Sequence, residues 1–212
     1  MRQILLVLAA ICWGGSARAE GEAAGDFDYY VLSLSWSSAW CALEGDDRDD
    51  PQCDPGRGLT FVLHGLWPQY EDGYPSYCRT AERDPTRAMT AAMTDIMGGA
   101  GLAFSEWKKH GRCSGLSAED YFLTARRAFA TISVPGLFEA VDRPLTLPAS
   151  VIEAAFLEAN PGLSRDAITI TCKQGLVQEA RICLNRDLSL RRCGEDVILD
   201  CSLQDAVLEP VR

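Results

Sequence analysis

The chain has 212 residues and a formal net charge of −10 at pH 7. This length suits one domain of ordinary size that buries a substantial core. The acidity excludes a protein that binds nucleic acid by general attraction, because such binding relies on Lys and Arg to neutralise phosphates. Any polyanionic partner therefore needs a local positive site.

The amino terminus is typical of a secretory signal. Arg2 supplies a positive charge, residues 4–11 form an apolar stretch, and residues 16–19 form a small-residue cleavage site. We predict a signal peptide at residues 1–19 and a single mature domain at residues 20–212. Removal of the signal peptide takes two arginines with it and leaves a formal charge of −12.

We expect no membrane anchor. Neither the amino-terminal apolar stretch nor any later one is long enough to span a bilayer. A lipid anchor through Cys12 is a weaker alternative, because Ile11 is a poor neighbour for a processing site that favours small residues. The mature protein is therefore expected to be secreted or periplasmic.

The cysteines indicate a disulfide framework. Of nine cysteines, eight remain after removal of the signal peptide. An even number in an exported protein predicts up to four bridges, with about 105 possible connectivities. The eight are Cys41, Cys53, Cys78, Cys113, Cys172, Cys183, Cys193 and Cys201. Zinc is the rival explanation, but no CxxC occurs and the cysteines are scattered, so we predict no metal site.

The first predicted elements are two strands joined by an acidic loop. Residues 26–40 alternate apolar and smaller side chains with a period of two, which predicts a half-buried strand. The following loop, EGDDRDDPQ, has a cysteine on each side and is suited to closure by a bridge. Residues 59–64 predict a second strand, broken at Gly65 and Pro68.

Helices are predicted next. Residues 86–97 carry apolar side chains at helical spacing and end at Gly98 and Gly99. Those apolar side chains are Met89, Met93, Ile96 and Met97, which we interpret as core residues. Residues 104–109 predict the start of another helix, which stops at Gly111.

Two later helices have capping signals. Ser117 is the expected cap of a helix over residues 117–132, whose apolar face comprises Tyr121, Phe122, Ala125 and Phe129. Ser150 and Glu153 have the spacing of a capping box for a helix over residues 151–159.

The last part of the chain predicts strands, at residues 167–173, 176–184 and 197–201, with cysteines in or beside them. Strands at both ends with helices between them indicate an α+β fold. We predict a single domain with a central antiparallel sheet flanked by helices and stapled by disulfides.

The chain contains only two histidines, and both lie in unusual settings. His64 ends an apolar run and is followed by Gly65, Trp67 and Pro68. A histidine on an apolar strand is more often a hydrogen-bonded core residue than a catalyst, and Trp67 alone could be core filler. The glycine, which allows close backbone approach, and the flat indole beside the imidazole favour a functional site.

His110 lies in the segment SEWKKHGRC. Glu106, Lys109 and His110 are at i, i+3 and i+4, so they share one face of a helix. Taken alone, this pattern is a solvated charged face with an ion pair. The second histidine, in a similar aromatic and glycine-rich setting, favours an acid and base pair.

Two histidines with a lysine and a glutamate suit phosphoryl transfer. Imidazole titrates near neutrality and can serve as base or acid. A lysine can stabilise the charge that develops on the phosphate. If the nucleophile is a ribose 2′-hydroxyl, no metal or other cofactor is needed, and the same hydroxyl distinguishes RNA from DNA.

These two segments resemble the paired catalytic motifs of the ribonuclease T2 family. The first motif, HGLWP, matches within residues 63–70, and the second, of the form HEWxKHGxC, matches residues 105–113. The order and interval of the motifs, the opening LSLSW strand and the cysteines also resemble the family. The likeness extends over essentially the whole mature chain.

The resemblance implies an endoribonuclease that forms a 2′,3′-cyclic phosphate and then hydrolyses it to a 3′-phosphate. It implies that His110 is the general base, that His64 is the acid, and that Glu106 and Lys109 stabilise the phosphorane. Trp67, with Tyr70 or Tyr74, is expected to stack a base, an interaction of about 1–3 kcal/mol with little base specificity.

The second motif departs from the family at its first position. The family has a histidine there that helps to hold the phosphate, and this chain has Ser105. A hydroxyl donates a hydrogen bond but carries no charge, so we expect weaker phosphate binding. The alternative interpretation, a secreted ribonuclease-fold binding protein with little turnover, takes Ser105 as a sign of decay.

The family pattern also implies the pairs Cys41–Cys53, Cys78–Cys113, Cys172–Cys201 and Cys183–Cys193. We expect a monomer that acts on single-stranded RNA and not on DNA, with an optimum on the acid side of neutrality, since protonated carboxylates repel RNA less. A disulfide-stapled structural or inhibitor protein with incidental motifs is a third and weaker interpretation.

Overall fold

A computed structural model describes residues 21–212. The predicted signal peptide, residues 1–19, lies outside the described residues. Among these residues, no helix has the length and apolar character needed to cross a membrane.

The described chain contains one six-stranded sheet flanked by helices, so the predicted α+β fold is confirmed. The strands are β1 (Tyr29–Trp36), β2 (Phe61–Gln69), β3 (Leu145–Leu147), β4 (Ile168–Lys173), β5 (Leu176–Leu184) and β6 (Ala206–Leu208). Their order is β2-β1-β5-β6-β3, and β4 also pairs with β5. All pairs are antiparallel except β5 with β6.

The helices lie mostly between the second and fourth strands. They are α1 (Ser37–Trp40), α2 (Arg87–Ala91), α3 (Thr94–Met97), α4 (Ala100–Lys109), α5 (Ala118–Ala130) and α6 (Ala149–Ala159). The predicted acidic loop between Cys41 and Cys53 instead forms consecutive short helical turns. The disulfide between these two cysteines closes the segment.

The prediction that the first strand is half-buried is wrong, because every residue of β1 is buried. One face, with Leu32 and Leu34, packs in the main core. The other face packs in a smaller cluster, where Val31 lies with Cys183 and Cys193. The disulfide between these cysteines therefore covers the face that the alternating pattern assigned to solvent.

The second strand does not break at Gly65 or Pro68 as predicted. β2 continues to Gln69, and it tolerates Pro68 because it is an edge strand with a free hydrogen-bonding side. Its register against β1 shifts by one residue at His64, since Leu63 pairs with Leu34 and Gly65 with Ser33. His64 is thus the additional residue of a β-bulge.

The predicted helix over residues 86–97 is two short helices, α2 and α3. The carbonyl of Ala92 accepts a hydrogen bond from Arg126, and Met93 N–H bonds to Thr90 in a tighter turn, which interrupts the helix. Gly98, with φ 80°, ends α3 as predicted. The next helix, α4, begins at Ala100, four residues earlier than its motif indicated.

Of the two predicted caps, one is confirmed. The Ser117 side chain accepts a hydrogen bond from the Asp120 N–H at the start of α5. The capping box of Ser150 and Glu153 is wrong, because α6 begins after Pro148 and has no side-chain cap. Glu153 is instead buried and pairs with Arg165 at 2.9 Å.

The carboxy-terminal strands are partly as predicted. Residues 168–173 and 176–184 form β4 and β5. Residues 197–201 form no strand, since the Ile198 N–H turns back to Gly194, and the Asp200 side chain accepts the Ile170 N–H of β4. The short strands β3 and β6 were not predicted.

The described residues form four disulfides, and they join the pairs that the family pattern implies. These are Cys41–Cys53, Cys78–Cys113, Cys172–Cys201 and Cys183–Cys193. The second bridge links the segment after β2 to the turn after α4 and so ties together the regions that carry the two histidine motifs.

Candidate active site

Both histidine motifs meet at one cavity of about 340 Å³. It lies on the sheet face opposite the main core, where β1, β2 and β5 meet the carboxy-terminal end of α4. Six of the predicted site residues line it: His64, Trp67, Tyr74, Glu106, Lys109 and His110. The shared face predicted for Glu106, Lys109 and His110 therefore opens on the side chains of the first motif.

His64 is held from two sides. Its Nδ1 lies 2.6 Å from Oε1 of Glu179 on β5, and its Nε2 lies 3.6 Å from Oε1 of Glu106 on α4. Burial alone lowers the pKa of His64, but the hydrogen bond to Glu179 and the charge of Glu106 outweigh burial and raise the pKa above its usual value. His64 therefore retains its proton more readily than a free histidine.

Glu179 is buried, with 2% of its surface exposed, and is fixed by Arg181. Nε and Nη2 of Arg181 lie 2.8 Å and 2.7 Å from Oε2 of Glu179, while Oε1 remains with His64. Burial raises the pKa of Glu179, but His64 and Arg181 lower it to a net value of about 2. This carboxylate is ionised throughout the neutral and mildly acidic range.

Glu106 is the second buried carboxyl group, on the last turn of α4. Its Oε2 accepts a hydrogen bond of 2.6 Å from Nε1 of Trp67. Burial raises the pKa of Glu106, and the opposing effects of His64, Trp67 and Lys109 do not restore it. The pKa values of the two glutamates beside His64 are thus shifted in opposite directions, since Glu179 has both a direct hydrogen bond to His64 and an arginine partner, whereas Glu106 has neither.

His110 lies at the end of α4 and is 4% exposed. Its ring stacks on Trp67 with centroids 5.1 Å apart and an interplanar angle of 27°. Nδ1 is buried without a hydrogen-bond partner among the described residues. Burial, with smaller contributions from Lys109 and His64, lowers the pKa of His110 to about 3. His110 is therefore neutral where His64 is charged.

Lys109 and Tyr74 complete the wall beside His110. The Nζ atom of Lys109 lies 6.0 Å from the ring centroid of Tyr74, and the Tyr74 ring lies 6.1 Å from that of His110. Tyr74 is about half exposed. Together with the indole of Trp67, it gives the cavity two aromatic surfaces beside a cation.

Two predicted site residues do not line the cavity. Tyr70 packs against the main core, and its backbone N–H bonds to the Gly73 carbonyl. Ser105 is exposed, and its hydroxyl donates a hydrogen bond of 3.1 Å to the Gly101 carbonyl of its own helix. Its hydroxyl is therefore engaged outside the cavity.

The sequence interpretation missed five polar residues that line the cavity: Gln69, Gln178, Glu179, Arg181 and Asp196. A signal for two of them was present. Glu179 and Arg181 are two positions apart in a strand, with the apolar Ala180 between them, which places both charges on one face. A buried carboxylate on a central strand normally has a charged or hydrogen-bonding partner, and Glu179 has two, His64 and Arg181.

The comparisons with known proteins agree with the motifs. The sequence model described as the Ribonuclease T2 family matches residues 27–193. The chain belongs to this family. Family membership identifies it as an endoribonuclease. A protein named ribonuclease from Aeromonas hydrophila is 36% identical over 225 residues, which cover 100% of both chains.

Solved structures of ribonucleases share the fold. Trichomaglin, described as an S-like ribonuclease, superposes with a TM-score of 0.66 at 20% identity, covering 87% of this chain and 97% of its own. RNase NT in complex with 5′-AMP superposes with a TM-score of 0.60 at 20% identity, covering 88% and 100%. At this identity the likeness concerns the fold alone.

Proposed function

We propose that this endoribonuclease cleaves single-stranded RNA by transphosphorylation, without a metal ion, and hydrolyses the resulting 2′,3′-cyclic phosphate to a 3′-phosphate. The strongest support is that the pKa values of two histidines in one cavity are shifted in opposite directions. A neutral His110 is fit to remove a proton and a charged His64 to donate one, at the same pH.

In the first step, the ribose 2′-oxygen attacks phosphorus and its proton passes to the His110 imidazole. The bond from phosphorus to the 5′-oxygen breaks, and His64 gives its proton to that oxygen. Nδ1 of His64 is engaged by Glu179, so Nε2 is the donor. The nucleophile belongs to the substrate, so this step requires no metal-bound water.

In the second step the roles reverse. His64, now neutral, removes a proton from water, which attacks the cyclic phosphate. His110, now protonated, returns a proton to the 2′-oxygen as its bond to phosphorus breaks. Each histidine thereby regains its starting protonation state. DNA lacks the 2′-hydroxyl and cannot enter the first step.

Lys109 and Glu106 are the proposed stabilisers of the phosphorane. Lys109 brings a positive charge to a cavity in a chain that is otherwise strongly acidic. Because burial raises the pKa of Glu106, its carboxyl group keeps a proton more readily than a free glutamate, and in its protonated form it can donate a hydrogen bond to a phosphoryl oxygen.

Trp67 and Tyr74 are the proposed base-stacking surfaces. Stacking depends on the flat face that every base has, which supports low base specificity. The complex of RNase NT with 5′-AMP shows that a protein of this fold takes a nucleoside monophosphate. We further propose that residues 1–19 direct the chain to the periplasm or the medium, and that the mature domain acts as a monomer.

The decisive experiment incubates RNA and DNA with the wild type, His64→Ala and His110→Ala in EDTA. We expect the wild type to cleave RNA alone and to release a 2′,3′-cyclic phosphate, and each variant to lose at least about 100-fold in rate. DNA cleavage, metal dependence or full activity in either alanine variant would contradict the mechanism. Nucleotide binding without turnover by the wild type would instead favour the binding-protein alternative.

A further inference from the structure

We propose that Glu179 is a positioning residue that holds His64 by Nδ1, so that Nε2 carries its proton toward the leaving 5′-oxygen, with Arg181 fixing the carboxylate. This inference rests on the proposed function, because it matters for catalysis only if His64 is the proton donor. The family motifs do not include Glu179, which lies more than 100 residues from His64.

The first argument is the position of His64 in its strand. As the additional residue of a bulge, His64 is not constrained by a directly paired residue on β1. Bulges commonly redirect a side chain next to a functional site, but they do not fix its rotation. The 2.6 Å contact from Nδ1 to Glu179 supplies that constraint.

The second argument is that the two carboxylate oxygens of Glu179 have different partners. Oε1 of Glu179 faces His64, and Oε2 receives two N–H groups of Arg181. A carboxylate held in this way cannot rotate without losing a charged hydrogen bond. Arg181 is in turn held over the Trp67 ring, with Cζ 5.3 Å from the centroid.

The third argument is the tautomer that this arrangement selects. A carboxylate can only accept, so Nδ1 of His64 must carry a proton whatever the charge of the ring. The mobile proton is therefore at Nε2. During the first step, that proton moves to the 5′-oxygen, the ring becomes neutral, and the Nδ1 proton stays between His64 and the ionised Glu179.

The test compares two substrates with different leaving groups. A dinucleotide expels an alkoxide that needs a proton, whereas a nucleoside 3′-(4-nitrophenyl phosphate) expels a nitrophenolate that does not. We expect Glu179→Ala to lose about 100-fold on the dinucleotide and no more than about threefold on the aryl ester. His64→Ala should show the same contrast with a larger loss on the dinucleotide.

Two variants separate positioning from folding. Glu179→Gln keeps an oxygen that can accept from Nδ1, so its dinucleotide loss should be smaller than that of the alanine variant. Glu153→Gln removes another buried carboxylate, which pairs with the exposed Arg165 outside the cavity. It should lower the melting temperature and leave unchanged the ratio of the rates on the two substrates. Equal losses on both substrates for Glu179→Ala would overturn the proposal.

A second measurement does not depend on activity. The mature chain has two histidines, so the imidazole NMR signals of His64 can be assigned with His110→Ala alone. We expect the His64 pKa to fall in Glu179→Gln. The other titratable or charged groups around His64 remain in that variant. Glu106 and Arg181 act on it directly, Glu44 interacts with its charge, and Lys109 and His110 line the same cavity.

The two measurements distinguish failure of the inference from failure of the proposed function. An unchanged His64 titration in Glu179→Gln would overturn the inference even in a protein that cleaves RNA well. A wild type that cleaves neither substrate would contradict the proposed function. In that case a lowered His64 pKa in the variant would still support the contact between Glu179 and His64. The absence of turnover would show that this contact does not serve catalysis.

Discussion

Trp67 and Glu106 meet directly above the backbone of Gly65, where the indole Nε1 donates a 2.6 Å hydrogen bond to the buried carboxyl group. A Cβ atom on Gly65 would overlap both Oε2 of Glu106 and Nε1 of Trp67. The glycine of the first motif is therefore needed for space and not for a turn. It lets a side chain from α4 reach across the edge strand to the histidine.

Gly65→Ala should separate these two groups. We expect kcat to fall at least about tenfold, because the loss of a hydrogen bond to a buried carboxyl group costs about 1.5–3 kcal/mol. Gly136→Ala is the matched control, since a Cβ there meets no atom within 4 Å and Gly136 does not line the cavity. Steady-state kinetics on RNA check both variants, and an unaffected kcat in Gly65→Ala would contradict this role.

The pH dependence of kcat/KM should be bell-shaped and displaced to acid pH. His110 must be neutral, so the acid limb should lie near its pKa of about 3. His64 must be protonated, so the alkaline limb should lie above the usual histidine value of about 6.5. Between these limits both residues are in the required state. A rate that still rises above pH 8 would contradict the assignment.

Trp67 should contribute in two separable ways. Trp67→Phe keeps an aromatic face against His110 but removes the donor to Glu106, so we expect mainly a lower kcat. Trp67→Ala also removes the stacking surface, so KM should rise by about 5- to 150-fold, in line with about 1–3 kcal/mol. Equal KM values for the two variants, measured on a short oligonucleotide, would argue against base stacking at this residue.

Ser105→His should tighten phosphate binding. An exposed histidine is charged at pH 5 and adds a cation that the serine, bonded to Gly101, does not supply. We expect a KM several-fold lower at that pH. Ser105→Gln is the control, because it offers a longer neutral donor and should leave KM close to that of the wild type. Unchanged kcat and KM in the histidine variant would count against a phosphate contact at this position.

Loss of the Cys78–Cys113 bridge should lower both stability and activity. The bridge spans 35 residues, and on the chain-entropy model its removal costs roughly 3–4 kcal/mol. We expect Cys78→Ser/Cys113→Ser to unfold at lower urea and to lose activity, because the Lys109 carbonyl bonds to Tyr77 beside this bridge. Equal urea midpoints for this variant and the wild type would contradict the estimate.

The site could be predicted from the sequence where its residues are close along the chain. Glu106, Lys109 and His110 share a face because helical spacing requires it, and they line one cavity. Glu179 could not be joined to His64 in this way, since their contact depends on the pairing of β1 with both β2 and β5. Strand pairing across more than 100 residues leaves no local pattern.

The fold shows the same limit. The cap of α5 at Ser117 is a local interaction and was predicted correctly. The full burial of β1 was not, because it depends on the segment around the Cys183–Cys193 bridge returning over a face that the alternating pattern leaves open. Likewise, the interruption between α2 and α3 requires Arg126 from a different helix.

The bulge at His64 makes the length of the first motif as important as its composition. Side chains along a strand alternate between faces, and the additional residue reverses that alternation for the rest of β2. Phe61, Leu63 and Leu66 all enter the main core, and the spacing of three between the last two reflects the bulge. In a related chain one residue shorter at this point, the strand would pair regularly. The leucine would still enter the core and the tryptophan would still face the cavity, but the histidine would no longer be the unpaired residue of a bulge.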